Sequence, residues 1–200
     1  MVFTFRDSRN WVKSLVLAML VVAAILVYAT AWRYLGEPAR EPAKATATFE
    51  FPGFQCRYLK PNTPWQLDST GIKQRLKAVL VMHCETPKAW LALLIKDYKP
   101  QPPDDSELRD EAVRRLSGYF QPDNLEWEQR ESEELAGRPA LRLVFRGEAG
   151  DTLMSGECYC LTHKGIGYWF LTWAPADQAA SLQEGFEDLR RRFSLLPDPA

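Results

Sequence analysis

The feature that most constrains this chain is an apolar run, Ser14 to Trp32, nineteen residues without an Asp, Glu, Lys or Arg. As a helix rising about 1.5 Å per residue it is nearly as long as the roughly 30 Å hydrocarbon core of a bilayer. Trp11, Tyr28, Trp32 and Tyr34 stand where amphipathic rings meet headgroups, and Arg6, Arg9, Lys13 and Arg33 bracket the span. No later run is long enough to cross. The pattern predicts a short N-terminal tail (1–13) and one transmembrane helix (14–34), making the chain a single-pass integral protein of the plasma or inner membrane. Ala29, Thr30 and Ala31 also fit the small-x-small pattern of a signal-peptidase site, so cleavage after Ala31 is the alternative to a retained signal-anchor. Basic residues before the run nearly balance Arg33, Arg40 and Lys44 after it. The short basic tail leading directly into the apolar core places the following domain on the extracytoplasmic side.

Residues 35–48 read as a linker, because Pro38 and Pro42 interrupt helix formation and GEPAREPAKATAT offers no apolar face to bury. The remainder, 49–196 with a tail at 197–200, is about the length of one ordinary domain. Seven Trp, seven Tyr and ten Phe are ample to fill its core, and a formal net charge of −1 gives no electrostatic reason to expect nucleic acid as a partner.

Within the domain, Phe54, Cys56 and Tyr58 alternate with Gln55 and Arg57 as a strand. A loop follows from Pro61 to Gly71, with Trp65 as an anchoring side chain folded back on the domain. From Ile72 the pattern predicts strand again, apolar on both faces by Leu80 to Met82, as in a central or helix-covered strand. Ala89–Tyr98 is a strand or a short helix, which periodicity does not separate. Asp104, Asp105 and Ser106 cap a helix to about Tyr119 with an apolar stripe at Leu108, Ala112, Leu116 and Tyr119. Strands around Leu125–Gln129 and Leu141–Phe145 come next. A hairpin then joins Leu153–Thr162 to Ile166–Ala174, and an amphipathic helix carries Ala179, Leu182, Phe186, Leu189 and Phe193. Connections this short favour an α+β domain, an antiparallel β-sheet with helices packed on its faces.

The order of proline-broken strand, helix, a strand opening on Gly137, Arg138, Pro139, Ala140 and Leu141, an aromatic hairpin and a closing helix ending in Phe186, Leu189 and Phe193 resembles the PsbP/Mog1-like domains over residues 50–196. The resemblance implies an α/β/α sandwich and a binding, assembly or accessory role. It supplies no catalytic residue.

The residues themselves carry little chemistry. There are two histidines, His83 and His163, and four cysteines, Cys56, Cys84, Cys158 and Cys160. Cys158 and Cys160 project from one strand face, yet C-x-C with a distant His-Cys lacks the usual zinc spacing, so neither metal nor cofactor is expected. In an oxidising compartment Cys56 and Cys84 pair with Cys158 and Cys160 as disulfides; the alternative is four free buried thiols. No nucleophile elbow accompanies either histidine, and Asp104 with Asp105 reads more simply as a helix cap than as a catalytic carboxylate pair. These features point to a non-catalytic, membrane-anchored binding or accessory domain. Its partner would be a membrane or cell-envelope protein met by Tyr159, Tyr168, Trp169 and Trp173. The competing expectation is an extracytoplasmic enzyme or a metal- or small-ligand-binding protein using the Cys and His residues.

Overall fold

The computed structural model describes residues 47–61 and 64–197, which belong to one compact unit, Thr46–Ala200. Its centre is a seven-stranded antiparallel sheet in the order β3-β4-β5-β9-β8-β7-β6. These strands are β3 (Gln66–Leu67), β4 (Leu80–Glu85), β5 (Lys88–Asp97), β6 (Glu126–Leu135), β7 (Arg138–Ala149), β8 (Thr152–His163) and β9 (Ile166–Pro175). A separate three-stranded antiparallel sheet pairs β1 (Thr48–Phe51) and β10 (Phe193–Leu195) with the two edges of β2 (Cys56–Leu59).

Every residue of β9 is buried, because both faces of the large sheet are covered there. Strand alternation sends Tyr168, Phe170 and Ala174 to one face and Trp169, Leu171 and Trp173 to the other. The first face packs on the small sheet, through Cys56, Tyr58 and Phe193, and on helix α3 (Gln183–Arg190), through Phe186 and Leu189. The second packs on α1 (Ile72–Leu76), through Ile72 and Leu76, and on α2 (Asp105–Leu116), through Leu108, Ala112 and Leu116. Asp104 caps α2 by accepting from the Glu107 N–H while the Glu107 carboxylate accepts from the Asp104 N–H, a complete capping box. The pairing of β5 with β9, from Trp90 opposite Trp173 to Asp97 opposite Ile166, joins the two halves of the domain.

Three expectations change. Ile72 opens a helix rather than a strand: Ile72 and Leu76 lie four apart and bury one helical side, and extended pairing begins only at Leu80. Ala89–Tyr98 is resolved as strand, since Leu91 and Leu93 face one core and Ala92 and Leu94 the other. The α/β/α sandwich is corrected to an α+β fold with two antiparallel sheets, because α3 shares its face of the large sheet with the small one.

The membrane assignment is also corrected. Among the described residues no helix is long and apolar enough to cross a membrane. The longest, α2, has 12 residues and spans about 18 Å, well short of a roughly 30 Å core, with one polar side. The run Ser14–Trp32 lies outside the described residues. The structure therefore supplies no support for a single-pass anchor, an integral-membrane partner or a plasma- or inner-membrane location, and none of these enters the functional reading.

Candidate functional site

The site is a cleft over the β4–β5 end of the large sheet. Cys84 and Ala89 face each other across these strands, 2 % and 1 % exposed. Two small side chains in register make the sheet surface dip where neighbouring pairs such as Met82 and Leu91 fill it. Trp65, just before β3, forms one wall, and Leu182, Phe186 and Leu189 form the other. Leu182 ends a 3-10 turn, Ala179–Leu182, that runs straight into α3, so these three side chains recur at helical spacing on the sheet side. The cavity between the walls is ≈ 300 Å³. At its rim Asp188 and Arg192 pair at 3.5 Å, one helical turn apart. Gly185, also on the rim, leaves open space where a side chain would stand.

A polar cluster anchors α3 from its other side. Glu157, 9 % exposed, accepts from Arg142 Nη2 at 2.6 Å, Tyr159 Oη at 2.6 Å and Gln183 Nε2 at 3.1 Å. Glu133 accepts from Arg142 Nη1 at 2.5 Å and Arg190 Nη1 at 2.6 Å, and the Arg190 guanidinium lies 4.4 Å from the Tyr159 ring centroid. Burial pushes the Glu157 carboxyl up, but the bonds from Tyr159, Arg142 and Gln183 outweigh it and hold the group below its ordinary value. Burial, and then the bond to Glu157, push the Tyr159 hydroxyl up. An ionised carboxylate with both oxygens engaged is suited to holding α3 on the sheet rather than to moving a proton. Glu111 plays the matching part under α2, bonded to Lys96, Arg114 and Arg115, while Arg115 Nη1 reaches the Lys77 carbonyl at 2.8 Å and closes the end of α1.

The residues singled out in the sequence fall elsewhere. Tyr159, Tyr168, Trp169 and Trp173 are all buried, so they build the core and offer no interface. Tyr168 Oη donates to the Phe54 carbonyl at 2.6 Å, and Trp169 Nε1 donates to the Leu108 carbonyl at 2.9 Å. All four cysteines are free. The expected bridges are excluded by the sheet itself: Cys56 and Cys84 belong to the face toward the small sheet and α3, Cys158 and Cys160 to the face toward α2. Cys158 and Cys160 sulfurs stand 3.6 Å apart, well beyond a bond of about 2.05 Å. Burial pushes the Cys56 thiol up to about 12, and that of Cys160 well above its usual value. His83 Nε2 lies 3.3 Å from Glu85, and burial followed by Arg138 and Lys164 lowers the His163 pKa. Among the described residues no group of three or more His, Cys, Asp or Glu is placed to hold a metal ion. Sequence reasoning found Trp65 and the Leu182, Phe186 and Leu189 stripe but not the Cys84–Ala89 dip between them, because cross-strand register is invisible until the strands are paired.

With this geometry in place, comparison with solved structures finds a likeness to cyanobacterial PsbP (CyanoP) from Synechocystis sp. PCC 6803. Identity is 14% and the TM-score 0.56, over 78% of this chain and 95% of that one. The likeness is one of fold alone. The domain is a distant, loosely PsbP/Mog1-like α+β fold. LpqN of Mycobacterium tuberculosis, involved in cell envelope biogenesis, aligns at 11% identity over 78% of this chain and 88% of its own with a TM-score of 0.46. A Pseudomonas aeruginosa protein of unknown function, a putative regulator, aligns at 8% identity over 78% and 99% with a TM-score of 0.38. Both scores are too low to bear on this chain. No family model matches the sequence, and no curated protein does.

Proposed function

We propose that this domain is a non-catalytic binding module whose site is the cleft between Trp65 and α3. The observation that carries the reading is the cavity of ≈ 300 Å³ over Cys84 and Ala89, a size within the lower range of small-ligand sites and walled by apolar side chains. The polar cluster around Glu157 supports it by fixing the helix that forms one wall. The buried carboxylates Glu111 and Glu157 are bonded to cations and, at Glu157, to a hydroxyl, so they hold helices in place, and binding accounts for the arrangement without turnover.

A thermal-shift screen of the full chain against anionic, cationic and neutral small compounds tests this, run beside Gly185→Leu, which places a side chain on the cleft rim. Compounds that raise the melting temperature of the natural protein should leave the variant unmoved. Equal stabilisation of both proteins by every active compound, or turnover abolished by Cys84→Ala, would reject the reading.

A further inference from the structure

Resting on that assignment of the cleft, we infer that its ligand is an uncharged, apolar ring compound, a small aromatic molecule seated over Cys84 and Ala89. The lining determines the class. The floor is a thiol beside a methyl group, and the walls are an indole, a phenyl ring and two leucines. The two charged groups among the described lining residues, Asp188 and Arg192, stand 3.5 Å apart at the mouth and away from the apolar floor. A charged ligand entering here would give up its hydration and meet no unpaired counter-charge, which is unfavourable at an apolar site. A neutral ligand loses little on leaving water, and cavities lined by Leu and Phe take benzene-like molecules. Size bounds the ligand: ≈ 300 Å³ lies at the lower end of small-ligand sites and admits a compact ring system of up to about three rings. Thr86 at the edge can give or accept one hydrogen bond, so one polar substituent at the mouth is compatible.

Three features make the inference testable without unfolding the protein. Gly185 sits within α3, and a Cβ there meets nothing within 4 Å, so Gly185→Leu fills space at the rim while improving helix propensity. Leu153→Ser, at an exposed position outside the cleft, is the control. Melting temperature reports the fold of each.

The experiment is a fluorescence titration of the full chain with N-phenyl-1-naphthylamine, an uncharged probe of three aromatic rings, and with its sulfonated relative 1-anilinonaphthalene-8-sulfonate. The expected result is saturable one-to-one binding of the uncharged probe, retained in Leu153→Ser and weakened about tenfold or more in Gly185→Leu at an undiminished melting temperature. The sulfonate should bind the natural protein about tenfold more weakly than the neutral probe. Absence of saturable neutral-probe binding, or neutral-probe binding indifferent to Gly185→Leu, overturns the inference. Equal affinity for the two probes, both lost in Gly185→Leu, also overturns it while leaving the cleft as the binding site. The binding-module reading falls with it when no compound of any charge class is sensitive to Gly185→Leu.

Discussion

At the scale of single residues, two positions carry more of the fold than their chemistry suggests. Gly156 in β8 lies where a Cβ would stand 2.3 Å from the Thr172 carbonyl oxygen and 2.6 Å from the Trp173 Cβ. Backbone on one side and a packed indole on the other leave little room to yield. Gly156→Ala is expected to cost about 2–3 kcal/mol, the range of overpacked cores, with the urea midpoint reporting the loss. Glu157 is the second. Glu157→Gln leaves Arg142 with Glu133 alone and should destabilise by about 2 kcal/mol, less than the roughly 3–5 of a wholly broken buried pair. Because the folded carboxyl is held below its ordinary value of 4.5, its stabilisation is complete above that value and is lost as pH falls through the depressed one. The gap between natural and variant melting temperatures should therefore be widest near neutrality and close on acidification below 4.5. A gap independent of pH would show that Glu157 acts by packing and not by charge.

At the scale of elements, turn chemistry decides how neighbouring strands meet. The β6–β7 hairpin turns on Ala136 and Gly137, both left-handed at φ 53 and 72, with Leu135 opposite Arg138. Gly suits this geometry, whereas Ala carries a penalty of about 1–2 kcal/mol against an entropic cost of about 0.5–1 for Gly. Ala136→Gly is accordingly expected to stabilise by about 0.5 kcal/mol, read as a small rise in melting temperature; a fall would mean that the Ala136 methyl, packed against the core, matters more than the turn. The helices divide in the same local terms. Helix α2 announces itself through its Asp104 cap and a regular apolar stripe, of which Leu108, Ala112 and Leu116 are buried while Tyr119 lies beyond the helix end. Helix α1 has no side-chain cap at Gly71 and only five residues, so its neighbourhood resembled strand until Ile72 and Leu76 were seen to share one buried side. Helix α3 is amphipathic in sequence, but what it contributes, a wall of the cleft and two ends of a polar cluster, depends on what lies beneath it.

At the scale of the whole molecule, the large sheet is a partition. Its two faces hold separate cores, and the cysteines are distributed two to each. Denatured protein should titrate four thiols whether or not reductant is present, and the folded protein should alkylate slowly at all of them, since each is buried. Fewer than four thiols without reductant would contradict the free assignment. The sequence alone determined those features that reside in neighbours along the chain: the capping box of α2, the hairpin from β8 to β9, and the alternation that makes antiparallel strands. Local sterics and hydrogen bonds act over a few residues, so a linear pattern contains them. Tertiary structure alone decided which aromatics are spent on the core, that Cys56 and Cys84 never meet Cys158 and Cys160, that a second sheet shares a face with α3, and that Trp65, Cys84, Ala89 and Phe186 enclose one space. A strand apolar on both sides has no preferred face until something packs on each. A cleft built from three distant segments exists only once register brings two small residues opposite each other and a helix comes to rest beside them.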